Sequence, residues 1–108
     1  MHEIVTTART LVDDVAAAHR GHVFEDAVAA FTGLLETVPD YGPTELAASD
    51  ITELTQLAEV IIRLIEARLD ARRDGASVQR DLAEAVYDIR RQLEQMDVWR
   101  RHYLASKT

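Results

Sequence analysis

Potential metal ligands cluster at one place in the 108-residue chain, where His19, His22, Glu25 and Asp26 stand close together. Imidazole and carboxylate groups are common protein ligands of zinc and other transition metals. On one continuous helix, the side chains of His19, His22 and Asp26 would share a face. The chain has no Glu-x-x-His pair, however, with which di-iron bundles complete their coordination. We therefore predict no metal or cofactor, and keep His19, His22 and Asp26 as weak candidate ligands.

Arginine pairs are the second feature that could bind a ligand. If these pairs lined up along helices, they would follow a phosphate backbone, and Trp99 and Tyr103 would stack on bases. Acidic residues interleave with the arginines and would cancel much of that positive field, so we treat nucleic-acid binding as an alternative hypothesis. The pairs are Arg72-Arg73, Arg90-Arg91 and Arg100-Arg101.

Most other ionisable residues have the spacing of solvated helix faces. General acid–base catalysis needs a carboxylate or imidazole in a dry pocket with a positioned partner. Here acids stand one helical turn from bases, and the chain has neither a glycine-rich phosphate loop nor a nucleophile-elbow serine. We therefore predict that the protein is not an enzyme. The pairs are Glu59 with Arg63, Arg80 with Glu84, Asp88 with Arg91, and Asp97 with Arg101.

The composition, with 47% hydrophobic and 29% charged residues, is that of one globular domain. The net charge of −7 is uneven, because residues 1–54 carry two bases against ten acids, whereas residues 55–108 are nearly balanced. The acidic half disfavours nucleic acid. Absence of cysteine, an acidic N-terminus and short apolar runs predict a cytoplasmic protein without a membrane partner. The abundance of Ala, Arg, Asp and Val indicates a bacterial source.

Hydrophobic spacing predicts a helical hairpin in the first part of the chain. Apolar residues recur every three or four positions over residues 4–18 and again over 23–38. The two stripes are out of phase by one residue at Gly21, and glycine readily adopts the left-handed conformation that ends helices. We predict one helix over about 3–20 and a second helix that follows a turn at Gly21 and reaches about residue 38. One long helix kinked at this glycine is the alternative.

This first hairpin, over residues 8–40, resembles one tetratricopeptide-type hairpin. The matching positions in the turn and second helix are Gly21, Phe24, Ala27, Phe31, Leu34 and Pro39. The first helix departs from the pattern at Leu11, Val15 and Ala18, and residues 43–108 do not repeat it. The resemblance implies stacked helical hairpins and peptide binding, although a binding groove requires several repeats.

The segment from Pro39 to Pro43 divides the chain, because proline and glycine interrupt helices. After it we expect a short helical turn at 44–48. Asp50 with Glu53 resembles a capping box that starts a third helix over 51–73, and Ser77 would cap a fourth helix that reaches about 104. The predicted fold is therefore all-α: one domain of two antiparallel hairpins (3–38 and 51–104) in a four-helix bundle-like arrangement, with connector 39–50.

Each of these last two helices has a distinct apolar pattern. The third points apolar side chains in three directions at Val60, Ile61 and Ile62, so it must be covered on two sides. It is either the central helix of the fold or the contact face of an oligomer. The fourth carries Leu82, Ile89, Met96 and Tyr103 at seven-residue intervals, which predicts packing on the third helix.

The C-terminal segment 97–104 is the strongest candidate for a partner surface, because Trp, Tyr and Arg often anchor interfaces. Trp99 could equally close the end of the core. We predict a non-catalytic interaction module, such as an adaptor, accessory subunit or regulatory partner, that binds another protein or itself as a homodimer. A nucleic-acid regulator and a metal-binding bundle are the alternatives. The predicted contact residues are Val60, Ile62, Trp99, Arg100, Arg101 and Tyr103.

Overall fold

Four α-helices make up the computed structural model, which describes residues 2–41 and 45–107, with side chains described up to residue 102. The described residues contain no β-strand, and the predicted all-α fold class is confirmed. The helices are α1 (Glu3–Ala17), α2 (Gly21–Glu36), α3 (Ala48–Ala71) and α4 (Ala76–Lys107), and a short 3-10 turn (Val38–Asp40) follows α2.

The helices form two hairpins, α1 with α2 and α3 with α4, which lie side by side. Helix α1 packs along α3, and α2 packs along α4. Helices α1 and α3 run in the same direction: the His2 N–H donates to Asp50 Oδ1 (3.3 Å) near one end, and Arg68 donates to the Ala18 carbonyl near the other. The described part of the chain is elongated, 50 × 22 × 18 Å. The predicted arrangement of two antiparallel hairpins is confirmed.

Helix α3 packs against both α1 and α4 and contributes six buried apolar side chains to the hydrophobic core. Ile62 is 7% exposed and belongs to this core, so its predicted role as a partner contact is corrected. Val60, at 38% exposure, keeps part of its side chain at the surface. A fully buried Leu, Ile or Phe side chain stabilises a fold by about 1.5–3 kcal/mol relative to exposure. The fully buried large side chains include Phe31, Leu35, Leu54, Ile61, Ile65, Leu82 and Ile89.

Helix α4 turns its seven-residue stripe inward, as predicted. Leu82, Ile89 and Met96 are at most 2% exposed. The side chain of Tyr103, the next member of the stripe, lies outside the described residues. None of the described helices is both long and apolar enough to span a bilayer.

The break between α1 and α2 differs from the prediction in its position and its cause. Helix α1 ends at Ala17, and Ala18 and Arg20 are extended before α2 begins at Gly21. The predicted left-handed Gly21 is wrong, since no described glycine has a positive φ. Among the described residues, Arg72 at the end of α3 has a positive φ (50°). Two separate helices are present, which rules out one kinked helix.

Helix α3 begins three residues before the predicted start. Asp50 lies in its first turn and accepts hydrogen bonds from the Ala47 N–H (3.1 Å) and the His2 N–H, so it caps from inside the helix. Glu53, its expected capping partner, pairs instead with Arg9 on α1. The predicted helical turn at 44–48 is not formed at 45–47, and residues 43 and 44 fall outside the described part.

The start of α4 also differs from the prediction. The Gly75 carbonyl accepts the first helical hydrogen bond, from the Gln79 N–H (3.0 Å). Helix α4 begins at Ala76, so Ser77 lies inside the first turn and is not the cap.

Candidate interaction surfaces

The weak candidate metal ligands are not grouped into a site. His19 lies in the extended connector between α1 and α2, whereas His22 and Asp26 lie on α2, and none of the three side chains is buried. Among the described residues, no three His, Asp or Glu side chains are placed to hold a metal ion. The break after α1 separates His19 from His22 and Asp26, which would share a face only on one continuous helix.

A buried ion pair between Arg68 on α3 and Asp74 in the α3–α4 connection lies at the end of the bundle where α1 and α3 finish. Arg68 Nε donates to Asp74 Oδ2 (2.8 Å) and Arg68 Nη2 donates to Asp74 Oδ1 (3.1 Å), a bidentate geometry. The same guanidinium donates to the carbonyls of His19 (2.8 Å) and Ala18 (3.3 Å), and it lies 4.7 Å from the Phe24 ring centre. We call this arrangement the Arg68 clamp. It binds backbone carbonyls of the connector that follows α1, which ends at Ala17 and not at about residue 20 as predicted.

The clamp is shielded from water, since the side chains of Arg68 and Asp74 are 7% and 9% exposed. Hydrogen bonds from Arg68 hold the pKa of Asp74 below its ordinary value of 3.8; the charges of Arg68 and Arg73 act in the same direction and burial acts against them. A lowered folded-state pKa means that the contribution to stability is present above pH 3.8 and is lost as the pH falls through the lowered value.

Gly21 completes the clamp by letting α2 begin against Asp74. A Cβ atom added at Gly21 would lie 2.5 Å from Asp74 Oδ1. Glycine is therefore required for this close approach and not for a left-handed turn. Sequence reasoning missed the clamp, although one signal was present: Arg68 continues the apolar spacing of Ile61 and Ile65 on α3, where a charged residue needs a buried partner.

An acidic groove of about 270 Å³ lies between α2 and α4. A side-chain hydrogen bond with Asp81 raises the pKa of Glu25 above its ordinary value of 4.5, and partial burial and the charges of Asp81, Asp26 and Asp74 add to this effect. The two carboxyl groups therefore repel each other when both are ionised. Four acids border the groove, Glu25, Glu36, Asp81 and Asp88, and its floor includes Val28, Ala29, Leu82 and Ala85.

A larger and more apolar groove, about 570 Å³ in volume, lies at the other end of α4. Val98 is 51% exposed there. Trp99 packs against the core with part of its surface and lines this groove with another part, so it helps to close the end of the core, and its role as a partner contact stays a prediction. We call it the terminal groove; it is lined by Pro39, Glu94, Gln95, Val98, Trp99 and His102.

The first half of α4 packs against α2, and the terminal groove lies on this same side of α4, nearer its C-terminus. Asp81, Ala85 and Asp88 face α2, and steps of three and four residues continue this stripe to Gln95, Trp99 and His102. Helix α2 ends at Glu36, and the turn containing Pro39 follows it. The groove is therefore an open continuation of a helix-packing seam.

The other predicted contact residues have different surroundings. Arg100 and Arg101 both pair with Asp97 (3.1 and 2.7 Å), next to the groove. Val60 lies twelve residues into α3, about 18 Å along the helix from its start, so it does not belong to the same surface. The side chain of Tyr103 is outside the described residues.

Arginines of α4 form ion pairs with nearby carboxylates. Arg90 lies 3.5 Å from Glu66 on α3, and Arg91 lies 3.8 Å from Asp88. The predicted pairs of Asp88 with Arg91 and Asp97 with Arg101 are confirmed. These contacts reduce the positive potential that the arginines present to a phosphate backbone.

Comparison with models of known protein families, with curated proteins and with solved structures finds no match for the chain. The resemblance of residues 8–40 to a tetratricopeptide-type hairpin therefore stays a prediction.

Proposed function

We propose that this chain is a non-catalytic helical module that binds another protein, or a second copy of itself, through the terminal groove. The observation that carries the proposal is the groove itself, where an exposed Val98 and one part of Trp99 lie beside Pro39. Tryptophan in a partly buried pocket next to arginine is typical of interface anchors. The module would serve as an adaptor, accessory subunit or regulatory partner.

The groove is carried by a rigid element, which favours binding. Opposite Val98, the inner side of α4 is anchored by Ile89 and Met96 in the core. A helix held in this way presents its outer residues in a fixed geometry, so little conformational entropy is lost when a partner binds. Helix α4 has 32 residues against 24 in α3, so its C-terminal turns extend roughly 12 Å past the start of α3.

We place this role in the bacterial cytoplasm on compositional grounds. The chain has no cysteine and is rich in Ala, Arg, Asp and Val.

A photo-crosslinking residue placed at position 98 tests the proposed function in the native host. Val98→benzoylphenylalanine is expected to give discrete crosslinked protein bands. Val23, 45% exposed on α2, offers a matched control position outside the terminal groove. Discrete bands from position 98 alone support the proposal. Equal labelling from both positions, or no bands from either, would contradict it.

A further inference from the structure

We infer that a second copy of this chain occupies the terminal groove. Its α4 helix packs through the outer face centred on Val98 against the same face of the first copy, and the two helices run antiparallel. This inference rests on the proposed function and adds the identity and orientation of the partner. The observation behind it is the order of charges on the outer face of α4.

Val98 lies at the centre of that face. Met96 and Ile89 point into the core, and a helix of 3.6 residues per turn places Val98 on the opposite side. Glu94 stands four residues before Val98 and Arg101 three residues after it, so both lie on the same flank of the face, where Arg101 also pairs with Asp97 of its own helix. Gln95 and His102 lie on the other flank, next to Pro39.

A two-fold axis through Val98 makes these flanks self-complementary. Antiparallel helices related by this axis place Val98 against Val98 of the second copy and Glu94 beside Arg101 of the second copy. Each of the two Glu94 side chains then meets an opposite charge, and Gln95 lies beside His102 on the other flank. A parallel pairing would put like charges at the same level of the two helices, so charge selects the antiparallel orientation.

The charge of the surrounding surface is compatible with this pairing. Residues 1–54 carry a net charge of −8, from two bases and ten acids, whereas the half that contains α4 is almost balanced at +1. Repulsion between two copies is therefore weakest where their α4 helices meet. One helix face buries less than the roughly 800 Å² per partner of a standard stable interface, so we expect a weak dimer that dissociates in the micromolar range.

Sedimentation equilibrium of the full chain over a wide concentration range tests the inference. The wild-type chain is expected to shift from monomer to dimer, and Val98→Asp is expected to weaken the dimer by about tenfold or more. Val23→Asp introduces the same charge at another exposed valine and should leave the dimer unchanged. Circular dichroism of each variant checks that the helices are retained.

A charge exchange tests the orientation independently of folding. Glu94→Arg and Arg101→Glu should each weaken self-association, because each places like charges beside each other across the axis. Mixing the two variants should restore a dimer, now a heterodimer, because one chain then carries arginine at both positions and the other carries glutamate at both. Glu84→Arg, an exposed change of the same charge elsewhere on α4, is the control and should dimerise like wild type.

Failure of this inference can be told apart from failure of the proposed function. A wild-type chain that stays monomeric at all concentrations, or a mixture that does not restore the dimer, overturns the inference. If position 98 then still crosslinks to a different protein, the proposed function stands with another occupant. If position 98 also crosslinks to nothing, both are wrong.

Discussion

The two ends of the helical bundle differ in which side chains they bury: one buries a charge pair, and the other leaves an apolar side chain exposed. At the clamp end, Arg68 and Asp74 are withdrawn from water and the guanidinium donates to a carboxylate and to backbone carbonyls of the same chain. At the groove end, Val98 is half exposed and the ion pairs of Asp97 lie at the surface. A buried charge pair fixes how elements meet, whereas an exposed apolar side chain on a rigid helix contributes little to folding and is free to bind. We therefore assign the clamp to the fold, whereas recognition at the groove is the function that we propose.

The largest effect that this comparison predicts is at Arg68. Arg68→Met should lower the free energy of unfolding by about 3–5 kcal/mol, because it leaves the Asp74 carboxylate buried without a counter-charge. Urea denaturation followed by circular dichroism measures the change. Arg90→Met is the matched control: its ion pair with Glu66 is exposed, so the loss should be roughly 0–1 kcal/mol.

The double variant Arg68→Met/Asp74→Leu sharpens this prediction. It removes both charges and should be less destabilised than Arg68→Met alone. If Arg68→Met and Arg90→Met lowered the free energy of unfolding by the same amount, the clamp would contribute no more than a surface ion pair. The proposed difference between the two ends would then be wrong.

The next effect is steric and concerns Gly21. Gly21→Ala should lower the free energy of unfolding by about 1–3 kcal/mol, because the new methyl group would collide with Asp74 Oδ1. A methyl group at Gly33, also on α2, would meet no atom of another element within 4 Å, so Gly33→Ala should instead stabilise by about 0.5–1 kcal/mol. Opposite signs from the same substitution on one helix would confirm the close approach; equal signs would argue against it.

The sequence was sufficient to predict the helices and much of the core, because periodic apolar spacing is a local signal. Leu82, Ile89 and Met96 are buried where their seven-residue spacing placed them. The helix ends were harder to predict from the sequence, because the groups that bind them are far away along the chain. Asp50 accepts a hydrogen bond from His2 at the start of α1, and Arg68 binds the carbonyls after α1. Such contacts depend on how the hairpins stack, which no local pattern specifies.

The same limit applies to the candidate site. Trp99 was predicted from its residue type, and it lines a groove. Pro39, which forms the opposite wall, was interpreted as a helix breaker and as a position of the tetratricopeptide-type pattern. Its place against α4 was not predicted, because it depends on where α2 ends. Ile62 was assigned to a surface because an apolar helix covered on two sides looks the same in sequence whether its partner is internal or external.

A smaller effect is expected in the acidic groove, between the two ends. The raised pKa of Glu25 means that folding is penalised when this carboxyl is ionised, above the raised value, and that the penalty disappears below pH 4.5. Glu25→Gln should therefore raise the melting temperature slightly at pH 7 and leave it unchanged near pH 4. Thermal unfolding at both pH values measures the difference. Glu84→Gln, on an exposed part of α4, should show no such pH-dependent gain; a gain of the same size there would point to net charge instead of the contact with Asp81.

The smallest effect on stability should come from the terminal groove. Val98→Asp is expected to change the free energy of unfolding of the monomer by no more than about 0.5 kcal/mol, because its side chain is 51% exposed and points away from the core. Urea denaturation at low protein concentration, where a weak dimer is dissociated, isolates this contribution. A loss above roughly 1.5 kcal/mol would mean that Val98 belongs to the fold, and the division between a structural end and a binding end would no longer hold. A near-zero change together with lost binding would show that the exposed valine serves recognition alone.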